Sequence, residues 1–307
     1  MRAFSGRSLS GRRRLLIKSI YNRARRFACG ALLGYDGRGL EKALLKLGVR
    51  KGDTLMVHSA FSPFNGFRGG PVEIIDCLIG LLGSDGNLLM PSMPYRTSSS
   101  EYLQRNDVFD VRKTPSRMGL ITELFRRRPG TKRSLSPTHP VLALGRDSDW
   151  ITEGHERCEF PCGKGSPFEK FRSLGGKILF FGIPFNTLTF IHHMEDLLRD
   201  RLPLPVYAET PLTARMRDIG GREITVRAYC FSDAAVRSRR PGILERRLLE
   251  KKLLGKTRIG ATVLMLVSAE DAVRCAREML DDNICFYEGV GTSCGRTLFE
   301  GRPQADR

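Results

Sequence analysis

The residues best suited to chemistry lie between positions 186 and 195, where Asn186-Thr-Leu-Thr189-Phe-Ile-His192-His193-Met-Glu195 follows an apolar run from Lys177 to Ile183. If a helix begins near Thr189, then Thr189, His192 and Glu195 stand at i, i+3 and i+6 along one face. A carboxylate one turn from an imidazole selects its tautomer and raises its basicity, as a general base near pH 7 requires, and such a base is worth about 10²- to 10⁴-fold in rate. A surface histidine–glutamate pair is the plainer reading of the same spacing. A further histidine, His139, sits in Ser134-Leu-Ser-Pro-Thr-His139-Pro140, a loop entering a strand. That would hold it at the edge of a sheet, where ligands of α/β folds bind.

Two loops have the composition of anion sites. Val57-His58-Ser59 ends an expected strand, and the chain then runs through Gly69-Gly70-Pro71 into a helix. Unpaired backbone N–H groups and the helix dipole at such a start suit a phosphate-bearing cofactor. A tight turn is the alternative, and the stretch matches neither the P-loop nor the dinucleotide fingerprint. The second is Thr114-Pro115-Ser116-Arg117-Met118-Gly119. Here Ser116 is expected to cap the following helix while Pro115 keeps its neighbour extended, and Ser116, Arg117 and the free N–H groups offer a second anion site.

Other chemistries fit less well. His192, His193, Glu195 and His139 make a poor metal set, because consecutive histidines on a helix point about 100° apart. Cys158 and Cys162 lack a matching second pair for zinc, and a Gly-x-Ser-x-Gly elbow is absent.

The elements that must position these residues read as an α/β protein. Leu40, Ala43, Leu44 and Leu47 mark a helix ending at Gly48, Thr54 to His58 a buried strand, Pro71 to Leu82 a helix, and Asn87 to Met90 the next strand. Strand, glycine loop, helix and strand make a βαβ unit in a layered sheet. The pattern continues with helix 116–127, strands 140–144 and 177–183, helix 189–200, strand 261–267 and helix 268–280. Residues 201–235 read as a strand-rich accessory region, and the basic run Arg237 to Lys256 as a solvated helix.

A chain of 307 residues with 41% hydrophobic and 27% charged residues is large enough for a substantial core and excludes a disordered or collagen-like protein. Its longest apolar stretches fall far short of the roughly 20 residues of a membrane span. Eight scattered cysteines read as reduced thiols, so a cytoplasmic address is expected. The net charge is +18, and 9 of the excess positive charges fall within residues 1–30, which hold no acidic residue. Leu16, Ile20, Ala24 and Phe27 there make an apolar helical stripe among arginines. Such a segment either docks on the folded body, stays partly disordered, or contacts an anionic membrane peripherally at about 1 kcal/mol per cation. Nucleic acid is not expected, since charge comes without a reading motif.

In order along the chain, Val57-His-Ser59, Gly69-Gly70, Thr114-Pro-Ser-Arg-Met-Gly119, Pro137-Thr-His139, Gly165-Ser-Pro167, Gly175-Gly-Lys177 and Thr189-x-x-His192-x-x-Glu195 resemble the aminoglycoside 3-N-acetyltransferase family. The likeness runs from about Leu40 to Leu280. It implies a three-layer α/β/α sandwich with a mixed sheet, distinct from the common acetyltransferase fold, spanning residues 37–285 between the basic extension 1–36 and a tail 286–307. It also implies transfer of acetyl from acetyl-coenzyme A to a sugar amine, without a metal. On that resemblance the coenzyme contacts His58, Ser59, Gly69, Gly70 and the loop from Thr114 to Gly119. His192 and Glu195 are the catalytic pair, Thr189 serves the developing oxyanion, and His139 assists at the acceptor. Departures at Ser136, Pro140 and Asn186 leave the acceptor open between an antibiotic and an envelope amino sugar, as does the local acidic cluster Asp147, Asp149, Glu153, Glu156 and Glu159. A non-catalytic basic binding module is the alternative in a different class.

Overall fold

Three strands with unbroken apolar runs, Leu55–Val57, Leu88–Met90 and Ile178–Phe181, form the centre of the molecule, because a strand buried on both faces has no polar side to alternate. The computed structural model describes residues 29–62 and 65–289. Its main sheet is built from β1 (Thr54–Ser59), β2 (Asn87–Pro91), β4 (Lys132–Arg133), β5 (Val141–Gly145), β6 (Lys177–Phe181), β9 (Gly255–Ile259) and β10 (Thr262–Ser268), in the order β4-β5-β2-β1-β6-β10-β9. The pairs β1/β2 and β1/β6 are parallel, with Leu55 opposite Leu88 and Val57 opposite Leu179. The flanking pairs, β2/β5, β4/β5, β6/β10 and β9/β10, are antiparallel. The sheet is therefore mixed, as expected.

Successive residues of β1 point to opposite faces, and each face has its own helices. Leu55 and Val57 pack with Leu40 and Leu44 of the helix Gly37–Leu47 and with Ile75 and Leu78 of the helix Pro71–Leu82. Met56 belongs to the opposite cluster, with Ile178, Phe180, Met194 of the helix Ile191–Leu197, Leu244 of the helix Pro241–Glu250 and Val273 of the helix Ala269–Asp281. Helix, sheet and helix are the three layers. Phe180 is completely buried in the second cluster, and its truncation to Ala would cost about 3–5 kcal/mol.

Several element boundaries differ from expectation for local reasons. The helix expected at 116–127 runs from Leu120 to Arg126, capped by Gly119 at φ 120° rather than by Ser116. The Ser116 hydroxyl instead accepts from Met118 N–H at 3.3 Å. The strand expected at 177–183 stops at Phe181, where Gly182 takes φ 62°. The helix expected at 189–200 spans Ile191–Leu197, followed by a single tight turn at Arg199–Arg201, so Thr189 precedes the helix rather than standing on it. The basic run 237–256 contains the helix Pro241–Glu250, which is not wholly solvated: Leu244 and Leu248 are buried on its inner side. Residues 201–235 are strand-rich as read, with β7 (Leu212–Arg217) and β8 (Glu223–Ala228) joining β3 (Phe109–Asp110) in a three-stranded sheet. The amphipathic stripe Leu16 to Phe27 lies outside the described residues. No described helix is long and apolar enough to cross a membrane.

Candidate active site

His192 lies at the start of the helix that follows β6, so the parallel centre of the sheet delivers it to the carboxyl ends of the strands. Its Nδ1–H donates to Glu195 Oε2 at 2.9 Å, one turn on. An ionised carboxylate can only accept, so this bond places the proton on Nδ1 and leaves a lone pair on Nε2. The ring lies on Phe231, centroids 4.3 Å apart, and Phe231 in turn stacks on Tyr207 at 5.2 Å. His139 meets the His192 ring edge-on at 5.3 Å and Phe231 at 5.4 Å. Its Nε2 is 3.4 Å from the Tyr95 hydroxyl, and its backbone N–H donates to Ser136 Oγ at 3.2 Å. Thr189 touches the pair through the backbone, its carbonyl accepting from His192 N–H at 3.1 Å.

Glu195 has no exposed surface. Such a carboxylate needs a donor for each oxygen. Oε1 accepts from Arg239 Nε and from the Tyr287 hydroxyl, both at 2.6 Å. Burial alone would raise the Glu195 carboxyl, yet its hydrogen bond and charge contact with His192, together with Arg239, hold it below the usual carboxylate value. Burial, followed by the charge of Arg239, holds His192 below the ordinary histidine value against the pull of Glu195. His139 is pushed down further, chiefly by burial and then by the charge of its neighbours His192, His155 and Arg239.

The remaining histidines are fixed elsewhere. His193 donates from Nδ1 to the Cys162 carbonyl at 2.7 Å, turned away from His192 as consecutive helical residues must be, and burial pushes it down to about 4. His155 donates from Nε2 to the Pro161 carbonyl at 2.7 Å and receives the Ser134 hydroxyl at Nδ1, 2.8 Å away.

The residues read as contacting a coenzyme form two groups. His58 and Ser59 end β1; the His58 ring stacks on Phe180 at 5.3 Å, and burial drives it down to about 3. His58 Nε2 and Ser59 Oγ are buried without a protein partner, and a side chain at Gly119 would stand 3.6 Å from the Ser59 carbonyl, so the 114–119 loop closes over this strand end. Within the loop, Thr114 Oγ1 accepts from Asp110 N–H, Arg117 N–H donates to the Met93 carbonyl, and the Arg117 side chain is exposed. Pro115 lies between these fixed points, and Met118 beyond them is held by its N–H to Ser116 Oγ. Two of the N–H groups that would meet an anion are already occupied: Ser116 N–H donates to Glu123 Oε2 at 2.9 Å, and Gly70 N–H to Glu73 Oε1 at 3.0 Å. Gly69 borders a small cavity of about 120 Å³ with Phe61, Asn65 and Arg68. The helices that follow the two loops, Pro71–Leu82 and Leu120–Arg126, pack on each other.

Arg239, Tyr287 and Phe231 were not legible as site residues. Arg239 sits in a run whose composition reads as solvent-facing, and Tyr287 falls beyond the last periodic helix, in the stretch read as a tail, yet it and Phe286 are buried.

A family model described as aminoglycoside 3-N-acetyltransferase matches residues 56–281. Among curated relatives, aminoglycoside N(3)-acetyltransferase III of Acinetobacter baumannii is 31% identical over 52% of this chain and 59% of its own length. Aminoglycoside N(3)-acetyltransferase VIII of Streptomyces fradiae is 27% identical over 80% of this chain and 91% of its own. The chain thus spans under two thirds of the Acinetobacter relative and nearly all of the Streptomyces one. The solved structure of AAC-IIIb in binary complex with CoASH shares the fold, with a TM-score of 0.69 at 24% identity, covering 82% of this chain and 98% of that one. With the sheet order, the strand-end loops and the His192–Glu195 bond in place, the match across most of the chain shows that it belongs to the aminoglycoside 3-N-acetyltransferase family.

Proposed function

We propose that this protein transfers acetyl from acetyl-coenzyme A to an amine of an aminoglycoside or related amino sugar, with His192 as general base and without an acyl-enzyme. The observation that carries this reading is the bond from His192 Nδ1 to a buried Glu195, which leaves Nε2 as proton acceptor at the carboxyl end of the sheet. The co-substrate assignment draws on AAC-IIIb, of the same fold and crystallised with CoASH. The partnerless Ser59 Oγ and His58 Nε2 suit the amides of a pantetheine arm, and the exposed Arg117 suits a phosphate.

The acceptor amine attacks the thioester carbonyl and a C–N bond forms. His192 Nε2 takes the proton that nitrogen must lose, and Glu195 stabilises the imidazolium. The tetrahedral intermediate then collapses, the C–S bond breaks, and His192 returns the proton to the departing thiolate. Thr189, joined to His192 through its carbonyl, is the residue to which this reading gives the developing oxyanion. His139, held neutral and edge-on to His192, orients the acceptor.

The test is thiol release from acetyl-coenzyme A against a panel holding both polycationic aminoglycosides and mono-amino sugars. Release with wild type and its loss in His192→Ala, with coenzyme binding retained, is the expected result. No release with any amine, or equal release by the variant, overturns it. A non-catalytic basic module would instead bind polyanions with steep salt dependence and indifference to His192.

A further inference from the structure

Glu195 is held by more than its histidine, and the extra partners are held by each other. Arg239 and Tyr287 form an antiparallel backbone bridge. Around it Arg240 N–H donates to the Phe286 carbonyl at 2.7 Å and Glu288 N–H to the Ser238 carbonyl at 2.8 Å. The guanidinium also lies over Phe231, 5.2 Å from the ring that carries His192 on its face. Only 12% of the Arg239 side chain is exposed, so this charge is sunk into the protein beside Glu195.

Resting on the reading of His192 as proton acceptor, we propose that Arg239 and Tyr287 are positioning residues of that base. They engage Glu195 Oε1, confine Oε2 to His192 Nδ1, and keep the Nε2 lone pair turned to the acceptor amine.

Charge gives the reason for an arginine in this place. A buried carboxylate with an imidazole as its only partner favours the ion pair, in which the ring has already taken its proton and can accept no other. A guanidinium on the opposite oxygen offsets that charge. Among the described residues facing the ring, Glu195 supplies the negative charge and Arg239 the positive one. His139, from the loop before β5, is held neutral by burial. Tyr95 beside it and Tyr287 behind Glu195 are phenols pushed above their ordinary value, chiefly by burial. Asp196, next along the helix, accepts instead from the Tyr207 hydroxyl at 3.0 Å. Removing the arginine's charge therefore leaves Glu195 unopposed and makes His192 more basic.

The experiment has two readouts on the full chain. One is the pH profile of kcat/KM for thiol release. The other is the titration of the His192 ring nitrogens by NMR without substrate, assigned by difference from His192→Gln. In Arg239→Gln the acidic limb and the ring titration should both rise by about one pH unit, so activity falls by up to about tenfold at pH values well below the wild-type limb and recovers as the pH rises. Arg239→Lys should keep the wild-type limb. Tyr287→Phe should lower kcat by about 3- to 10-fold at unchanged KM for acetyl-coenzyme A, and raise the ring titration slightly. A His192 titration unmoved in Arg239→Gln, or activity lost evenly at every pH, overturns the proposal. Should Arg239→Gln fail to fold, an unmoved titration in Tyr287→Phe overturns it instead. If the wild type releases no thiol but the titration still moves, the positioning role stands and the proposed reaction falls.

Discussion

Glu123 and Glu195 each lie three residues from a basic partner, and the two regions around them put the same carboxylate to different uses. Glu123 belongs to the helix beneath the 114–119 loop. Its oxygens accept from Arg126 and Arg127 at 2.7 Å and from Ser116 N–H at 2.9 Å. The bond from Arg126, ahead of the Ser116 N–H and Arg127, pulls it down to about 2. About a fifth of its side chain remains accessible, the bond from Arg127 is open to water, and the carboxylate anchors a loop. Glu195 has no accessible surface, and its partners are an imidazole, a guanidinium and a phenol. The difference teaches that burial takes water away from a carboxylate, so that in the proposed reaction Glu195 can govern a neighbour's proton while Glu123 only holds a loop.

The sharpest way to separate the two regions is to remove the groups in turn. His192→Ala should lower kcat by about 10²- to 10⁴-fold and cost about 1–3 kcal/mol by urea unfolding, since it leaves the buried Glu195 Oε2 without its donor. Glu195→Ala should cost stability as well as activity, about 3–5 kcal/mol by urea unfolding, because it strands Arg239 without its counter-charge. Glu123→Ala should cost only about 1 kcal/mol by the same measurement, its effect being a several-fold higher KM for acetyl-coenzyme A as the 114–119 loop loosens. Equal losses for the two glutamates would break the comparison.

Acid separates the regions by pH. His58, His155 and His193 are held by burial at about 3, 4 and 4, below the ordinary histidine value. An unfolded chain takes up protons on these rings below about pH 6.5 while the folded one refuses them, so each contributes stability present at neutral pH and lost as the pH falls towards its folded value. Glu123 behaves likewise over a lower window, its contribution present above the ordinary carboxylate value of 4.5 and lost on the way down to about 2. Thermal melts should therefore show Tm falling from about pH 6.5 downward, with Glu123→Gln below wild type by a constant margin above about pH 4.5 and converging on it at lower pH. A margin that narrows already above about pH 4.5 would assign the first acid loss to the wrong region.

Legibility in the sequence followed distance along the chain. The βαβ unit, the cap at Gly48 and the His192–Glu195 pair depend on neighbours a few residues apart, where periodicity and turn chemistry speak directly. The helix starts two residues after Thr189 because helix starts are set by capping geometry, and Phe190 already has helical backbone. Ser116 differs from expectation for a related reason: a serine before a helix is usually its cap, but Gly119, with a left-handed φ, takes the chain into the helix later. Arg239 and Tyr287 reach Glu195 from 44 and 92 residues away. Nothing in the hydrophobic pattern of a basic run or a post-helical stretch announces a partner so remote.

The bridge between Arg239 and Tyr287 also orders events in time. A ribosome that has delivered the chain through residue 281 has supplied every strand of the main sheet and both rings of the His192–His139 contact. The phenol that completes the carboxylate's set of donors arrives only afterwards. Up to that point the chain holds every strand, the base and the guanidinium that balances its carboxylate, and is short of one neutral donor alone.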